Sequence, residues 1–170
     1  MERALCVGGL AALCLTCARS VGAQVAPPET VGCDEAIAVQ PSARPDWHVV
    51  LDRAAFPLPA DVQAVDRSGS QLYPYFAKVP IWLRDGGGSI DVIVPRGRRR
   101  RLGVVWGTRG AQNPESSVRF PGCGSGNDLW RGYPGGYFVR KPTCVPVILR
   151  VGDQKMLVRL SIGRRCRTAR

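Results

Sequence analysis

The feature of this sequence that most constrains its fold is a series of short apolar segments separated by Pro and Gly residues. None of them extends into the longer 3.6-residue periodicity of a helix, and most have the length of a strand. The pattern therefore predicts an all-β fold, an antiparallel β-sandwich of the immunoglobulin-like type. The candidate strands are His48 to Leu51, Val62 to Val65, Leu72 to Ala77, Val79 to Leu83, Ser89 to Val94, Leu102 to Trp106, Ser117 to Phe120, Gly136 to Val139, Val145 to Val151 and Lys155 to Ile162.

The clearest strand alternation lies near the end of the chain. Over residues 155–162 apolar side chains occupy every second position, which predicts one core face and one solvated face. Residues 151–155 have the composition of a turn. We therefore expect an antiparallel hairpin over Val145 to Ile162. Pro146 indicates that its strand is an edge strand, or that this ladder position faces away from the neighbouring strand.

The first 23 residues have the pattern of a secretory signal. Ala4 to Ala18 form an apolar stretch that Arg19 closes after about 15 residues, fewer than the roughly 20 that span a bilayer. Small residues before position 24 predict cleavage after Ala23. An uncleaved anchor and a lipidated form are the alternatives. We expect a secreted, extracellular protein that is either released or retained at the cell surface.

Residues 24–45 are rich in Pro, Ala and polar side chains and show little periodicity, which predicts an extended, loosely held N-terminal segment. Residues 46–170 suit a single β-sandwich domain by their length.

The cysteine count agrees with export. Three of the seven cysteines lie in the predicted signal, and an even number remains in an exported chain, which predicts two disulfides. A zinc site is the competing use of four cysteines, but no close C-x-x-C pair is present. Of the three possible connectivities, we favour Cys33 with Cys166, and Cys123 with Cys144.

Positive charge is concentrated in the second half of the chain. Residues 24–95 contain 5 basic and 9 acidic side chains, whereas residues 96–170 contain 17 and 3. Such an asymmetry favours an anionic partner. A GC-rich coding sequence also produces an Arg-rich, Lys-poor composition, so the asymmetry has an alternative explanation without function.

The densest charge lies in one predicted loop between two strands. Five guanidinium groups there are suited to bidentate contacts with anionic polymers. The alternative is a solvated loop whose charges only increase solubility. The polyanion-binding hypothesis assigns Arg96, Arg98, Arg99, Arg100 and Arg101 to this site.

A second segment, residues 130–142, interleaves aromatic and cationic side chains. Aromatic faces beside cations bind sugars and polyanions by stacking and cation–π contact. The interpretation we favour is structural, with a tight turn at Tyr133 to Gly136 and with Trp130, Tyr137 and Phe138 in the core. The binding hypothesis assigns Trp130, Arg131, Tyr133, Tyr137, Arg140 and Lys141 to an aromatic and cationic surface.

No segment has a catalytic, metal-binding or cofactor-binding pattern. His48, the one histidine, is expected to be a partly exposed strand residue. Asp85 to Ser89 is rich in glycine but lacks the alternating oxygen ligands of a calcium loop, and it is expected to be a hairpin turn.

The run Tyr133-Pro134-Gly135-Gly136-Tyr137, continuing through Cys144 to Gly163-Arg164-Arg165-Cys166, resembles the C-terminal part of small secreted proteins of high-GC actinobacteria. The resemblance implies export and a disulfide-linked β domain, and it implies no activity.

These observations predict a secreted or cell-surface, non-enzymatic β domain that binds an anionic envelope polymer through its Arg-rich loop. The alternative is a protein-interaction or accessory module of an envelope complex, and an enzyme acting on wall polymer is a third hypothesis. We expect no cofactor, no intracellular nucleic-acid partner and no transmembrane span after signal cleavage.

Overall fold

The computed structural model describes residues 27–64, 72–108, 113–124 and 128–167. Within them the chain forms strands and no α-helix, with single 3-10 turns at Cys33–Glu35 and Arg96–Arg98. The strands are β1 (Glu29–Thr30), β2 (Ala38–Gln40), β3 (His48–Val50), β4 (Ala54–Phe56), β5 (Gln63–Ala64), β6 (Tyr75–Lys78), β7 (Ile81–Arg84), β8 (Ile90–Ile93), β9 (Leu102–Trp106), β10 (Ser117–Phe120), β11 (Trp130–Tyr133), β12 (Gly135–Val139), β13 (Thr143–Val151) and β14 (Gln154–Ile162).

The strands form three sheets around one hydrophobic core. Sheet A has the order β1-β10-β8-β13-β14, sheet B the order β2-β11-β7-β4-β3, and sheet C the order β5-β6-β12-β9. Every pairing between these strands is antiparallel except that of β1 with β10. The core draws on all three sheets, with Val92 from sheet A, Ile81 from sheet B and Val104 from sheet C fully buried. The prediction of an all-β, antiparallel sandwich with two disulfides is confirmed.

The predicted C-terminal hairpin is present as β13 and β14, which pair over their whole length. Val145, Val147 and Leu149 are fully buried, as the alternation of strand side chains requires. Pro146 lies on the opposite, outer face of sheet A. Pro146 pairs with Arg159 of β14. The ladder between β13 and β8 begins only at Ile148, so β8 does not pair with Pro146.

The N-terminal segment is more ordered than the sequence indicates. The predicted signal, Met1 to Ala23, lies outside the described residues. From residue 27 onward the chain contributes β1 to sheet A and β2 to sheet B, and Val31 is a core residue that is 1% exposed. Each of these strands pairs with a partner about 90 residues away, and two or three residues are too few to show strand alternation.

The four predicted disulfide cysteines are bonded, but the favoured pairing was wrong. The bonds join Cys33 to Cys123 and Cys144 to Cys166. Cys33 follows the end of β1 by three residues and Cys123 follows the end of β10 by three, so the parallel β1–β10 pairing carries both to the same place. At the other bond, Cys144 lies opposite Ser161 in the hairpin, and the chain turns back beyond β14 to bring Cys166 alongside.

Two glycine-rich segments expected to be tight turns instead connect different sheets. Asp85 to Ser89 leads from β7 in sheet B to β8 in sheet A, so the predicted hairpin turn is absent. Between β11 of sheet B and β12 of sheet C only Pro134 intervenes. A Cβ atom on Gly135 would lie 2.1 Å from the Val105 carbonyl oxygen, so glycine is required where the chain changes sheets.

Candidate anion-binding groove

Four cationic side chains from two separate segments converge on one open groove. Arg98 and Arg101 come from the Arg-rich loop before β9, and Arg140 and Lys141 from the link between β12 and β13. The groove has a volume of about 410 Å³. We call it the cationic groove, and its remaining lining is Leu102, Thr143, Cys144, Val145 and Pro146.

The register of sheet C explains why the two segments meet. β9 and β12 are antiparallel, and their last pair joins Leu102 to Val139. The residue before Leu102 therefore faces the residue after Val139. The backbone N–H of Arg140 donates a hydrogen bond to the Arg101 carbonyl oxygen over 3.1 Å. The two walls of the groove are thus fixed to each other by backbone.

The Arg-rich loop has a defined conformation. The N–H of Arg98 bonds the Pro95 carbonyl and the N–H of Arg101 bonds the Arg98 carbonyl, each over 2.8 Å. These successive tight turns place Arg98 and Arg101, three positions apart, toward the same side. The hydroxyl of Tyr73 donates a hydrogen bond to the Arg99 carbonyl oxygen and anchors the middle of the loop. Burial raises the pKa of Tyr73, so it remains a hydrogen-bond donor at neutral pH.

The described lining of the groove contains four cations and no carboxylate. Among the described residues, no carboxylate forms an ion pair with Arg98, Arg101, Arg140 or Lys141. Below these cations, Leu102 and Val145 form an apolar floor that is almost fully buried. Cations without counter-charges around an apolar floor can hold anionic groups by charge-assisted hydrogen bonds.

The Cys144–Cys166 disulfide ties the C-terminal segment to the same region. Cys144 lines the groove, and Arg164, Arg165 and Arg167 flank its partner as exposed side chains. Arg159 of β14, also exposed, lies directly opposite Pro146 in the hairpin. These arginines extend the positive surface beyond the groove.

The five arginines of the Arg-rich loop have different environments in the structure. Arg96 and Arg100 are exposed but do not line the groove. Arg99 is half-buried, and its Nε atom is buried with no hydrogen-bond partner among the described residues. Of the five arginines of the polyanion-binding hypothesis, the groove brings together Arg98 and Arg101.

The proposed aromatic and cationic surface over residues 130–142 is wrong for its aromatic members. Trp130 is 5% exposed and Tyr137 is fully buried, as the core interpretation predicted, and Tyr133, which that interpretation placed in a turn, is 1% exposed. Burial raises the pKa of Tyr133 to about 12, with a smaller opposing effect from the neighbouring Arg131. These rings point inward from β11 and β12. Of the six residues assigned to this surface, Arg140 and Lys141 line the groove.

The guanidinium of Arg131 is paired with a carboxylate of the protein and is not free to bind a ligand anion through its Nε. Its Nε donates to the buried carboxylate of Asp85 at 2.8 Å and 3.0 Å, and this hydrogen bond raises the pKa of the guanidinium. The pair neutralises a carboxylate that is 4% exposed, so Arg131, whose side chain is 26% exposed, has a structural role.

The sequence missed the apolar floor and the approach of Arg140 and Lys141 to the Arg-rich loop. A weak indication was present, because both basic segments lie at the ends of predicted strands. Had β9 and β12 been recognised as neighbours, their ends would have predicted the groove.

No group of three or more His, Cys, Asp or Glu side chains in the described ranges is arranged to hold a metal ion. His48 is an exposed residue of β3, as predicted. No helix in the part of the chain that the structure describes has the length and apolarity needed to cross a bilayer.

Comparison with protein-family models finds no match, and comparisons with curated proteins and with solved structures find no similar protein.

Proposed function

We propose that this chain is an exported, non-enzymatic β protein that binds an anionic polymer of the cell envelope through the cationic groove. The observation that carries the proposal is the convergence of four cations from two segments, with no acidic partner for them among the described residues. Codon bias would explain at most the abundance of arginine. It does not explain why Arg101 and Arg140 lie side by side, or why a backbone hydrogen bond joins them.

Export is supported by two independent features. The first 23 residues have the pattern of a cleavable signal, and the two disulfides are typical of proteins from oxidising compartments. N-terminal sequencing of the protein from culture medium or from the cell surface should begin at Gln24. A protein that starts at Met1 in the cytoplasmic fraction would contradict this part of the proposal.

Binding is tested with a charge-matched pair of variants. Arg101→Gln/Arg140→Gln removes one cation from each wall of the groove. The control, Arg44→Gln/Lys78→Gln, removes two exposed cations that do not line the groove. Both variants have the same net charge, so non-specific attraction falls equally in both.

We expect wild type and control to bind immobilised heparin and isolated wall polymer at low salt and to dissociate as salt rises, because screening weakens exposed ionic contacts. The groove variant should dissociate at lower salt and lose about tenfold in affinity. Failure of wild type to bind either polyanion, or equal binding by the two variants, would overturn the proposal.

A second candidate function is the protein-interaction module of an envelope complex. Its support is β2, an edge strand of sheet B. Val39 within it is 51% exposed, and Ile37 immediately before it is 65% exposed. An extended partner segment can add a strand to such an edge. A photo-cross-linker at position 37 should recover one defined envelope protein in the native host. Recovery of no protein would exclude this function for β2.

A further inference from the structure

A second cluster of cations lies at the other end of the β13–β14 hairpin. Three cationic side chains from three strands of sheet A, β10, β13 and β14, line a pocket of about 320 Å³. We call it the distal cluster. Its cations are Arg119, Arg150 and Lys155, and the other lining residues are Ser89, Asp91, Gly152 and Asp153.

A buried carboxylate fixes two of these cations. Asp91 of β8 is 2% exposed and stands in register between Arg119 of β10 and Arg150 of β13. The Nε of Arg119 donates to Asp91 Oδ1 over 2.7 Å, and the Nε of Arg150 donates to Oδ2 over 2.7 Å. Each guanidinium has five N–H donors, so both retain donors that Asp91 does not use. The pair is held in place before any ligand arrives.

The protonation state of Asp91 keeps this arrangement intact at neutral pH. Burial acts to raise the pKa of Asp91, but the hydrogen bonds from Arg119 and Arg150 outweigh burial and lower it. The carboxylate is therefore charged. Asp153, the other carboxylate of the pocket, is exposed and opposes an incoming anion.

The cationic groove and the distal cluster meet the same face of one hairpin. The outward pairs along β13 and β14 are Pro146 with Arg159, then Ile148 with Leu157, then Arg150 with Lys155. Pro146 lines the groove, and Arg150 lines the distal cluster. At about 3.3 Å per residue, the two positions are roughly 13 Å apart along β13.

An apolar step separates the two positive regions. Leu157 is 55% exposed, and its partner Ile148 is half-buried. Going along the hairpin, the surface is cationic, then apolar, then cationic. A compact anion contacts one of the cationic regions and gains nothing from the other.

We infer that the outer face of sheet A binds an extended acidic polysaccharide that contacts the cationic groove and the distal cluster together. This inference rests on the proposed function and names its polymer. Sugar rings carry apolar faces between their charged groups, which match Leu157 between two cationic regions. A polyphosphate chain carries charge at every unit and has no apolar face to place there.

The first test is ligand length. Affinity for heparin-derived oligosaccharides should rise steeply once the chain exceeds the roughly 13 Å between the clusters, because the second contact is then intramolecular. Lys155→Gln should lower the affinity for a decasaccharide about fivefold and leave the affinity for a disaccharide unchanged. The control Lys78→Gln removes the same charge from β6. Asp153→Asn should strengthen decasaccharide binding.

The second test separates the polysaccharide from other polymers. Leu157→Ser should weaken the decasaccharide about threefold and leave polyphosphate of matched length unaffected. Ile37→Ser, which removes a similarly exposed aliphatic side chain just before β2, is the control. Equal loss for both ligands, or tighter binding of polyphosphate than of the decasaccharide, would overturn the choice of polysaccharide.

The outcomes distinguish the two levels of the proposal. If wild type binds neither oligosaccharide, the proposed function itself fails. If the disaccharide and decasaccharide bind equally, or if Lys155→Gln behaves like Lys78→Gln, the groove remains a binding site and the extended face is excluded.

Discussion

The backbone N–H of Arg140 donates a hydrogen bond to the carbonyl oxygen of Arg101, so the two walls of the cationic groove continue the β9–β12 ladder. This bond holds two like-charged residues side by side. Their guanidinium groups gain no ion pair with a described carboxylate, and like charges in proximity destabilise the folded state. The groove therefore has a cost in stability that a bound anion would remove.

Polyanions should for this reason stabilise the protein. We expect heparin to raise the melting temperature of wild type at low salt, because a ligand that binds the folded state shifts the unfolding equilibrium. Without ligand, the free energy of unfolding of Arg101→Gln/Arg140→Gln should exceed that of wild type by about a few tenths of a kcal/mol, so its melting temperature should be slightly higher. Heparin should stabilise this variant little. Differential scanning calorimetry at two salt concentrations checks both effects. A groove variant less stable than wild type at low salt would contradict the repulsion argument.

The two disulfides should contribute unequally to stability. Cys33–Cys123 spans 90 residues of sequence and Cys144–Cys166 spans 22. Loop-closure entropy predicts about 4 to 5 kcal/mol for the first and about 3 kcal/mol for the second. Urea unfolding of Cys33→Ser/Cys123→Ser and of Cys144→Ser/Cys166→Ser measures the difference, and peptide mapping under non-reducing conditions checks the pairing. A peptide that links Cys33 to Cys166 would contradict the connectivity.

The carboxylate of Asp91 should make stability depend on acid. Its pKa is lower in the folded state than the value near 4 of an unfolded chain, because Arg119 and Arg150 outweigh the effect of burial. Its contribution is therefore complete above about pH 4 and is lost as the pH falls through the folded-state pKa. Asp91→Asn should cost about 2 kcal/mol at pH 7, and the difference from wild type should shrink below pH 4.

The control for this prediction is Asp46→Asn. Asp46 forms an exposed ion pair with Arg44 at 3.4 Å, and such pairs contribute little. Urea unfolding of the three proteins from pH 3 to pH 7 measures the differences. A constant gap between wild type and Asp91→Asn across this range would show that the Asp91 charge does not cause the effect.

The sequence predicted features whose interacting residues lie close together along the chain, and it missed features whose residues lie far apart. The β13–β14 hairpin depends on neighbours within twenty residues, and alternation and turn composition were enough to predict it. The disulfide pairing depends on β1 lying parallel to β10, and β1 has only two residues, which are both exposed. No local pattern identifies such a strand.

The candidate site divides in the same way. The Arg-rich loop is a local feature and was identified from the sequence alone. Arg140 approaches Arg101 only because β9 and β12 are neighbours with one register, and strand order is a property of the whole sheet. The aromatic residues near Arg140 were assigned to a binding surface because composition does not show which face of β11 and β12 points inward.

A buried hydroxyl gives the most direct test of the core. Tyr137 of β12 is fully buried, its ring lies perpendicular to that of Trp106 at 5.2 Å, and its hydroxyl has no hydrogen-bond partner among the described residues. Burial raises its pKa well above 10, so the neutral form is the one present in the folded protein. An unpartnered buried hydroxyl costs free energy, whereas the indole N–H of Trp106 is satisfied by the Val79 carbonyl at 3.0 Å.

Tyr137→Phe keeps the ring and its contact with Trp106 and removes the oxygen alone. It should therefore raise the free energy of unfolding by about 1 kcal/mol, measured by urea denaturation at neutral pH. Tyr133→Phe is the matched control, because the Tyr133 hydroxyl lies 3.4 Å from Cys123 Sγ and its removal should not stabilise. Because a raised tyrosine pKa lowers stability as the pH rises above about 10, the advantage of Tyr137→Phe should grow in alkali. A loss of stability in Tyr137→Phe at neutral pH would mean that the hydroxyl has a partner in the folded protein.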